Sequence, residues 1–248
     1  MLAIIGGSGL TKLSIIESPQ RRVVRTPFGE PSGALTFGHL RGREVVFLPR
    51  HGHAHTIAPH EVNYRANLWA LQSVKASGVV SVASVGGIRA DLRPGVLVAP
   101  DQLIDYTHGR RSTFFEGPDQ PVTHVDFTEP YCPRLRAGVM EAARRAGHPL
   151  LDGGTYAVTQ GPRLETAAEI DRLERDGADM VGMTGMPEAV LARELGLSYA
   201  AIAVVVNAAA GRGESRHAIS LEAIGAVLES AMQKVHDILE QCVECHAA

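Results

Sequence analysis

The sequence holds 248 residues, 45% of them apolar, enough for one large α/β domain spanning residues 1–248 with a substantial core. Its 24 basic and 27 acidic residues give a formal net charge of −3, which argues against nucleic acid or an acidic membrane as a partner. The start "MLAIIGGSGL" has no basic leader, and no run approaches the roughly 20 apolar residues of a membrane helix, so a cytoplasmic protein is expected.

The first predicted strand, Leu2–Ile5, runs into the glycine turn "GGSGL". Amides exposed after a strand can cradle an anion, with Ser8 adding a hydroxyl. A dinucleotide fingerprint would need another glycine where Lys12 stands, and a plain tight turn is the alternative. The strand Val45–Leu48 leads into "PRHGHAHTIAPH". There Arg50 offers a planar fork for phosphate or carboxylate, with His51 beside it. His51, His53 and His55 imitate a metal-binding H-x-H, but no further ligands assemble around them and no metal is expected. His53, His55 and His60 read as solvated loop residues. A helix is predicted over His60–Ala76, then a strand over Val79–Ser84 that ends in Ser84 and the pair Gly86–Gly87.

After a strand at Val96–Ala99, the segment Asp105–Pro130 shows no period, and a loop of that length in a compact domain is more often functional than idle. A helix over Pro133–Ala146 and a strand over Tyr156–Thr159 follow. In "QGPRLETAAEI" the spacing of Thr166 and Glu169 suits a capping box opening a helix over Thr166–Glu174. Glu165, just before it, is either an exposed charge or an acceptor in a pocket. The strand Met180–Gly182 delivers Met183 and Thr184 to the start of a helix over Pro187–Leu195. Thr184 then lies where a helix N-terminus helps to hold an anion, and Pro187 fits a first helical turn. The apolar strand Tyr199–Val206 presents Asn207, followed by small residues; the simple alternative is a turn-starting Asn. A final helix is predicted over Ser220–Gln241. Three cysteines are too few and too scattered for a disulfide scaffold. The tail "CVECHAA" matches a haem-attachment pattern, but two incidental thiols on a helix tail account for it better.

The alternation of strands and helices predicts an α/β fold with a mixed sheet. Polar groups gather at the carboxyl ends of four or five strands, where open α/β sheets bind ligands. One arginine, several hydroxyls and an acid–amide pair suit an oxyanion together with a flat hydrogen-bonding heterocycle.

"IIGGSGL", "TPFGEPS", "PRHGHAHTI", "VNYRANLWAL", "QGPRLET", "GMTGMPEA" and "VVVN" resemble, in order and over nearly the whole chain, the trimeric purine nucleoside phosphorylase and methylthioadenosine phosphorylase family. The resemblance implies a single α/β domain with a distorted, barrel-like mixed sheet flanked by helices. It implies a homotrimer that uses inorganic phosphate as co-substrate and needs no metal or other cofactor. On the matching positions, Ser8, Arg50, His51, Ala83, Ser84 and Thr184 are implied to bind phosphate. Met183 would lie under the ribose, with Leu164, Glu165, Asn207, Ala208 and Ala209 around the base. His124, in "THVDFTEPYCP", would be lent by the neighbouring subunit to the 5′ end.

The 6-aminopurine members carry aspartates where this chain has Asn207 and Ala209, and a serine where it has Glu165. An amide can donate to O6 and N7 of a 6-oxopurine, and a carboxylate can accept its N1 proton. Members acting on ordinary inosine have a histidine near the start of the last helix, where Ile219 stands here, with His217 two residues away. Isoleucine suits a methylthio group better than a hydroxyl. Asn207 and Glu165 are therefore expected to serve phosphorolysis of methylthioinosine to hypoxanthine and 5-methylthioribose 1-phosphate. The alternative is inosine or guanosine, and methylthioadenosine ranks below both.

Overall fold

The computed structural model describes residues 1–118 and 120–247. Its spine is four parallel strands: β1 (Leu2–Gly6), β4 (Arg43–Pro49), β5 (Gly78–Gly87) and β11 (Ser198–Ala208). They are buried on both faces, which is why they read as near-continuous apolar runs. Along β5, Val79, Ala83 and Val85 feed one core with α1 (Tyr64–Ser73) and α4 (Gly185–Glu194). Val80 and Val82 feed a second core with α2 (Pro133–Ala146) and α5 (Leu221–Ala247). β3 (Leu35–Leu40) and β2 (Glu17–Arg22) extend the sheet antiparallel beyond β4. On the other side β10 (Met180–Gly182) joins β5 antiparallel, followed in parallel by β9 (Thr155–Val158) and β7 (Gln102–Asp105). The short β6 (Leu97–Ala99) and β8 (Leu151–Asp152) branch from β11.

The expectation of a barrel-like sheet needs correction, because no pairing among the described residues joins its ends, β2 and β7, and the sheet is open. β5 is where the sheet divides. β11 follows it along its whole length, while the opposite edge carries β1 only over Gly78–Ser81 and β10 only over Gly86–Gly87. Between these, Val82–Val85 meets no strand on that edge among the described residues, and a cavity lined by Ala83, Ser84 and Val85 opens there.

The predicted strands and helices are all present; Pro133–Ala146 and Met180–Gly182 have the predicted ends, and the others are shifted. The first helix starts at Tyr64 instead of His60, because Asn63 caps it: its Oδ1 accepts from the Ala66 N–H at 3.1 Å, and its amide donates to Phe28 O. The capping box is formed, so α3 (Ala167–Arg175) begins directly after Thr166. Pro187 does not sit in a regular first turn: Met186 and Pro187 are non-helical and joined by a cis peptide, and regular helix follows them. β2, β3, β7 and β8 were not expected; β2 is exposed throughout and carries no apolar alternation. The tail Cys242–His246 is the end of α5, with Cys242 in the core and His246 Nε2 bonded to the Ser77 hydroxyl at 2.8 Å. Among the described residues no helix is long and apolar enough to cross a membrane.

Candidate active site

The cavity, of about 400 Å³, is framed by the ends of β1, β4, β5, β10 and β11 and overhung by the first turns of α5. At one end Ser8, Arg50, His51 and Thr184, from the ends of β1, β4 and β10, converge with Ala83 and Ser84, which belong to the uncovered middle of β5 and not, as expected, to a strand end; all six line it. Arg50 is 1% exposed, and its fork is already engaged. Nε and Nη2 donate to Glu188 at 2.7 and 2.9 Å, Nη2 also to Ser81 Oγ at 2.6 Å, and Nη1 to Val82 O at 3.0 Å. Of five N–H groups, one on Nη1 remains. Arg50 thus offers an anion a single N–H instead of the expected planar fork. Burial opposes the guanidinium charge, and the fully buried Glu188 carboxylate outweighs it, holding Arg50 above its ordinary range. Gly7 permits this arrangement, because a Cβ there would stand 2.8 Å from both Arg50 Nη1 and Val82 O.

His51 is 7% exposed, and burial, reinforced by the Arg50 charge, pushes its imidazole down to about 4. At neutral pH it is uncharged. Nδ1 lies 2.8 Å from Ile57 O and must carry the proton, so Nε2 keeps a lone pair. Ser84 Oγ is buried without a hydrogen-bond partner, an arrangement that native structures rarely tolerate without a ligand or water. Thr184 is the N-cap of α4, yet its hydroxyl makes no capping bond. The corner therefore holds three hydroxyls and one guanidinium N–H, which together favour an oxyanion; the expected helix N-terminus does not add to them, because Met186 and Pro187 are non-helical and regular helix begins only after them.

At the opposite wall stand Leu164, Glu165, Met183, Asn207 and Ala209. A bulge delivers Asn207: Val205 pairs with Val85 but Asn207 with Gly86, leaving Val206 as the extra residue. Without it, strict alternation would turn Asn207 to the other face; with it, Val206 and Asn207 both line the cavity. Asn207 Nδ2 donates to Ala208 O at 2.6 Å, which leaves one N–H and the amide oxygen for a ligand. Glu165 Oε1 accepts from the Thr159 hydroxyl at 2.6 Å, and its second oxygen remains to accept another proton. The third wall is apolar: Ile219, Ile224 and Leu228, with Ile57.

Two expected residues are not in this cavity. Ala208 is buried and turned toward Gly213, a consequence of the same bulge. His124 is exposed and lines no part of its own chain's cavity. His217 is also exposed and outside it, so Ile219 holds that wall. His55 is exposed, as expected, and also lines the cavity, with Nε2 at 3.4 Å from Ser8 Oγ and its ring 4.9 Å from that of His51; the solvated reading fails instead at His53, which is half-buried with Nε2 at 3.3 Å from Ala34 O. Ile224 and Leu228 had been legible only as an apolar helix stripe. Glu188 had one signal, a carboxylate within the apolar run "GMPEAVLA".

The Phosphorylase superfamily model matches residues 1–244. A probable S-methyl-5′-thioinosine phosphorylase of Xanthomonas campestris is 53% identical over 226 residues, covering 91% of this chain and 90% of that one. A 6-oxopurine nucleoside phosphorylase of Pyrococcus furiosus is 43% identical over 244 residues, covering 96% and 89%. Among solved structures, a methylthioadenosine phosphorylase of Schistosoma mansoni in complex with adenine superposes with a TM-score of 0.93 at 34% identity, covering 98% of this chain and 90% of that one.

Proposed function

The chain belongs to the phosphorylase superfamily, and we propose that it is a 6-oxopurine-selective purine nucleoside phosphorylase whose substrate is S-methyl-5′-thioinosine. One observation carries the reading: a single cavity is lined by the amide–carboxylate pair Asn207 and Glu165, by the apolar Ile219, Ile224 and Leu228, and by the oxyanion corner. In the reaction a phosphate oxygen bonds to C1′ of the sugar as the C1′–N9 bond breaks. The bonding pair goes to the purine, and the proton that phosphate loses overall is gained by the base. The products are hypoxanthine and 5-methylthioribose 1-phosphate.

Each wall has a task. Ser8, Ser84, Thr184 and the remaining Arg50 N–H donate to phosphate and the His51 Nε2 lone pair accepts from its P–OH, with Ala83 beside it, so attack begins from a fixed geometry. Met183 supports the ribose. Asn207 gives its free N–H to O6, and its oxygen accepts the proton that the departing base takes at N7. The N–H···O6 contact strengthens as negative charge moves onto the purine. Glu165 accepts the N1 proton that hypoxanthine carries and adenine lacks. Ala209 and Leu164 flank the base. Ile219, Ile224 and Leu228 suit a methylthio group, since a hydroxyl there would be buried without a partner.

The same reading includes a cytoplasmic homotrimer in which the neighbour's His124 closes the 5′ end, with phosphate as co-substrate and no metal or other cofactor. Support for the shared site comes from the family resemblance and from the exposed position of His124 outside its own cavity. The test is kcat/KM for methylthioinosine, inosine and methylthioadenosine, each with and without phosphate, alongside sedimentation. Methylthioinosine first, with phosphate required, is the expected result. Inosine first removes the apolar 5′ wall from the account. Methylthioadenosine first removes the roles of Asn207 and Glu165, and turnover without phosphate removes the phosphorylase reading itself.

A further inference from the structure

Arg110 lies half-buried in the long irregular segment after β7 and does not line the cavity. Every one of its N–H-bearing nitrogens is engaged. Nε donates to Gln160 Oε1 at 3.2 Å. Nη1 donates to Met183 O at 2.8 Å and Met186 O at 2.6 Å, with the Tyr64 hydroxyl at 3.2 Å. Nη2 donates to Gln160 O at 2.8 Å and Thr159 O at 3.3 Å. All these acceptors are neutral, and four are main-chain carbonyls. A half-buried cation without a carboxylate among these partners is costly unless its donors are matched this fully.

The four carbonyls belong to two segments. Thr159 and Gln160 follow β9; Met183 and Met186 follow β10. The β9–β10 ladder ends at the pair Val158 and Gly182. Beyond it, the Thr159 N–H donates to Gly182 O at 2.8 Å, and then the guanidinium holds the two chains together. Both segments carry cavity groups. The Thr159 hydroxyl fixes Glu165, and Met183 and Thr184 line the wall. A planar fork can bridge two backbones in this way, whereas an ammonium at one point cannot.

We propose that Arg110 is a positioning residue that fixes the base-and-ribose half of the site by clamping the ends of β9 and β10. The inference rests on the phosphorylase reading above. Of the oxyanion corner only Thr184 belongs to a clamped segment; Ser8, Arg50, His51, Ala83 and Ser84 stand on β1, β4 and β5 or directly after them, and Arg110 bonds none of these. The base-and-ribose half should therefore respond more strongly than the oxyanion corner.

The experiment uses the full chain as wild type, Arg110→Ala and Arg110→Lys. Nucleoside is varied at saturating phosphate and phosphate at saturating nucleoside, with unfolding followed in parallel. A misplacement of the order of 1 Å predicts a loss of about 100-fold in kcat/KM for the nucleoside, with a clearly smaller rise in KM for phosphate, which Thr184 alone among its partners transmits. Methylguanidine should restore Arg110→Ala, methylammonium should not, and Arg110→Lys should stay impaired. The proposal is overturned if either variant keeps wild-type kcat/KM for the nucleoside. Equal rises of both KM values overturn it as well, as does a loss that follows only the folded fraction and ignores methylguanidine. If Arg110→Ala does not fold, Arg110→Lys alone decides by the same readouts. Calorimetric binding of hypoxanthine, weakened in the variants under the proposal, decides it independently of turnover. Absence of phosphate-dependent turnover in wild type would instead refute the functional reading.

Discussion

Ser81 and Ser84 lie three residues apart on β5, face opposite sides of the sheet, and should respond oppositely to replacement by alanine. Ser84 Oγ is buried and has no partner, so Ser84→Ala removes an unsatisfied group and should leave the ligand-free protein as stable as wild type or more so. Against bound phosphate the same hydroxyl would donate to a charged oxygen. Such a bond contributes about 1.5–3 kcal/mol, so KM for phosphate should rise roughly 10- to 150-fold. Ser81 Oγ accepts from Arg50 Nη2 at 2.6 Å, and Ser81→Ala leaves a buried guanidinium N–H unpaired at a cost of about 1–3 kcal/mol in stability. The assay pairs urea unfolding without phosphate with kcat/KM for phosphate at saturating methylthioinosine. Ser84→Ala destabilised by more than about 1 kcal/mol, with KM for phosphate unmoved, would show that the hydroxyl has a structural task and refute its assignment to phosphate.

Asn207→Asp, alone or with Ala209→Asp, sets a carboxylate where an amide N–H donates to Ala208 O at 2.6 Å and removes the donor for O6. Preference measured as the ratio of kcat/KM values should move roughly 5- to 150-fold toward the 6-amino substrate, and an unmoved ratio would contradict the base-site assignment. Gly7→Ala drives a methyl to within 2.8 Å of Arg50 Nη1 and Val82 O, so calorimetry should show phosphate binding lost along with reduced stability. His51 titrates near 4 in the folded protein, below its ordinary value of about 6.5, so the unfolded chain binds more protons between those values. The stability it contributes is full above about pH 6.5 and is lost as pH falls toward 4, about 2 kcal/mol by pH 4.5. Denaturant titrations at pH 7.5 and 4.5 should show that difference in wild type and less of it in His51→Gln; equal pH dependence in both would refute it.

The central strands were legible because burial on both faces leaves an apolar run that a single sequence displays. β2 was illegible for the opposite reason: all six of its residues are exposed, and its pairing with β3 is a tertiary choice rather than a local preference. The helix ends followed side chains that the sequence shows but does not rank. Thr166 with Glu169 is a two-sided signal and located α3, whereas Asn63 competed with the apolar pattern that began near His60. Whether the sheet closes depends on whether its β2 and β7 edges, distant in sequence, pair with each other, which no local pattern encodes; among the described residues they do not.

In the site, what could be read was which residue stands at which strand end; what could not was how its hydrogen bonds are distributed. Arg50 was visible, but its partner Glu188 lies 138 residues away, and their pairing turns a fork into one N–H. The bulge that sends Asn207 into the cavity and Ala208 away from it is equally non-local, because it exists only in the register of β11 against β5. Both features change the chemistry inferred. Arg50 and Glu188 form an ion pair of no net charge, and His51 is neutral at pH 7. The oxyanion corner is therefore lined mainly by oriented neutral donors and one charged N–H. Such donors distinguish by geometry more than by charge, because each hydroxyl must find an oxygen at its own position. Charge alone would admit any anion. A corner of Ser8, Ser84 and Thr184 around one guanidinium N–H asks for a compact oxyanion with several acceptors, seated where a sugar C1′ can reach it.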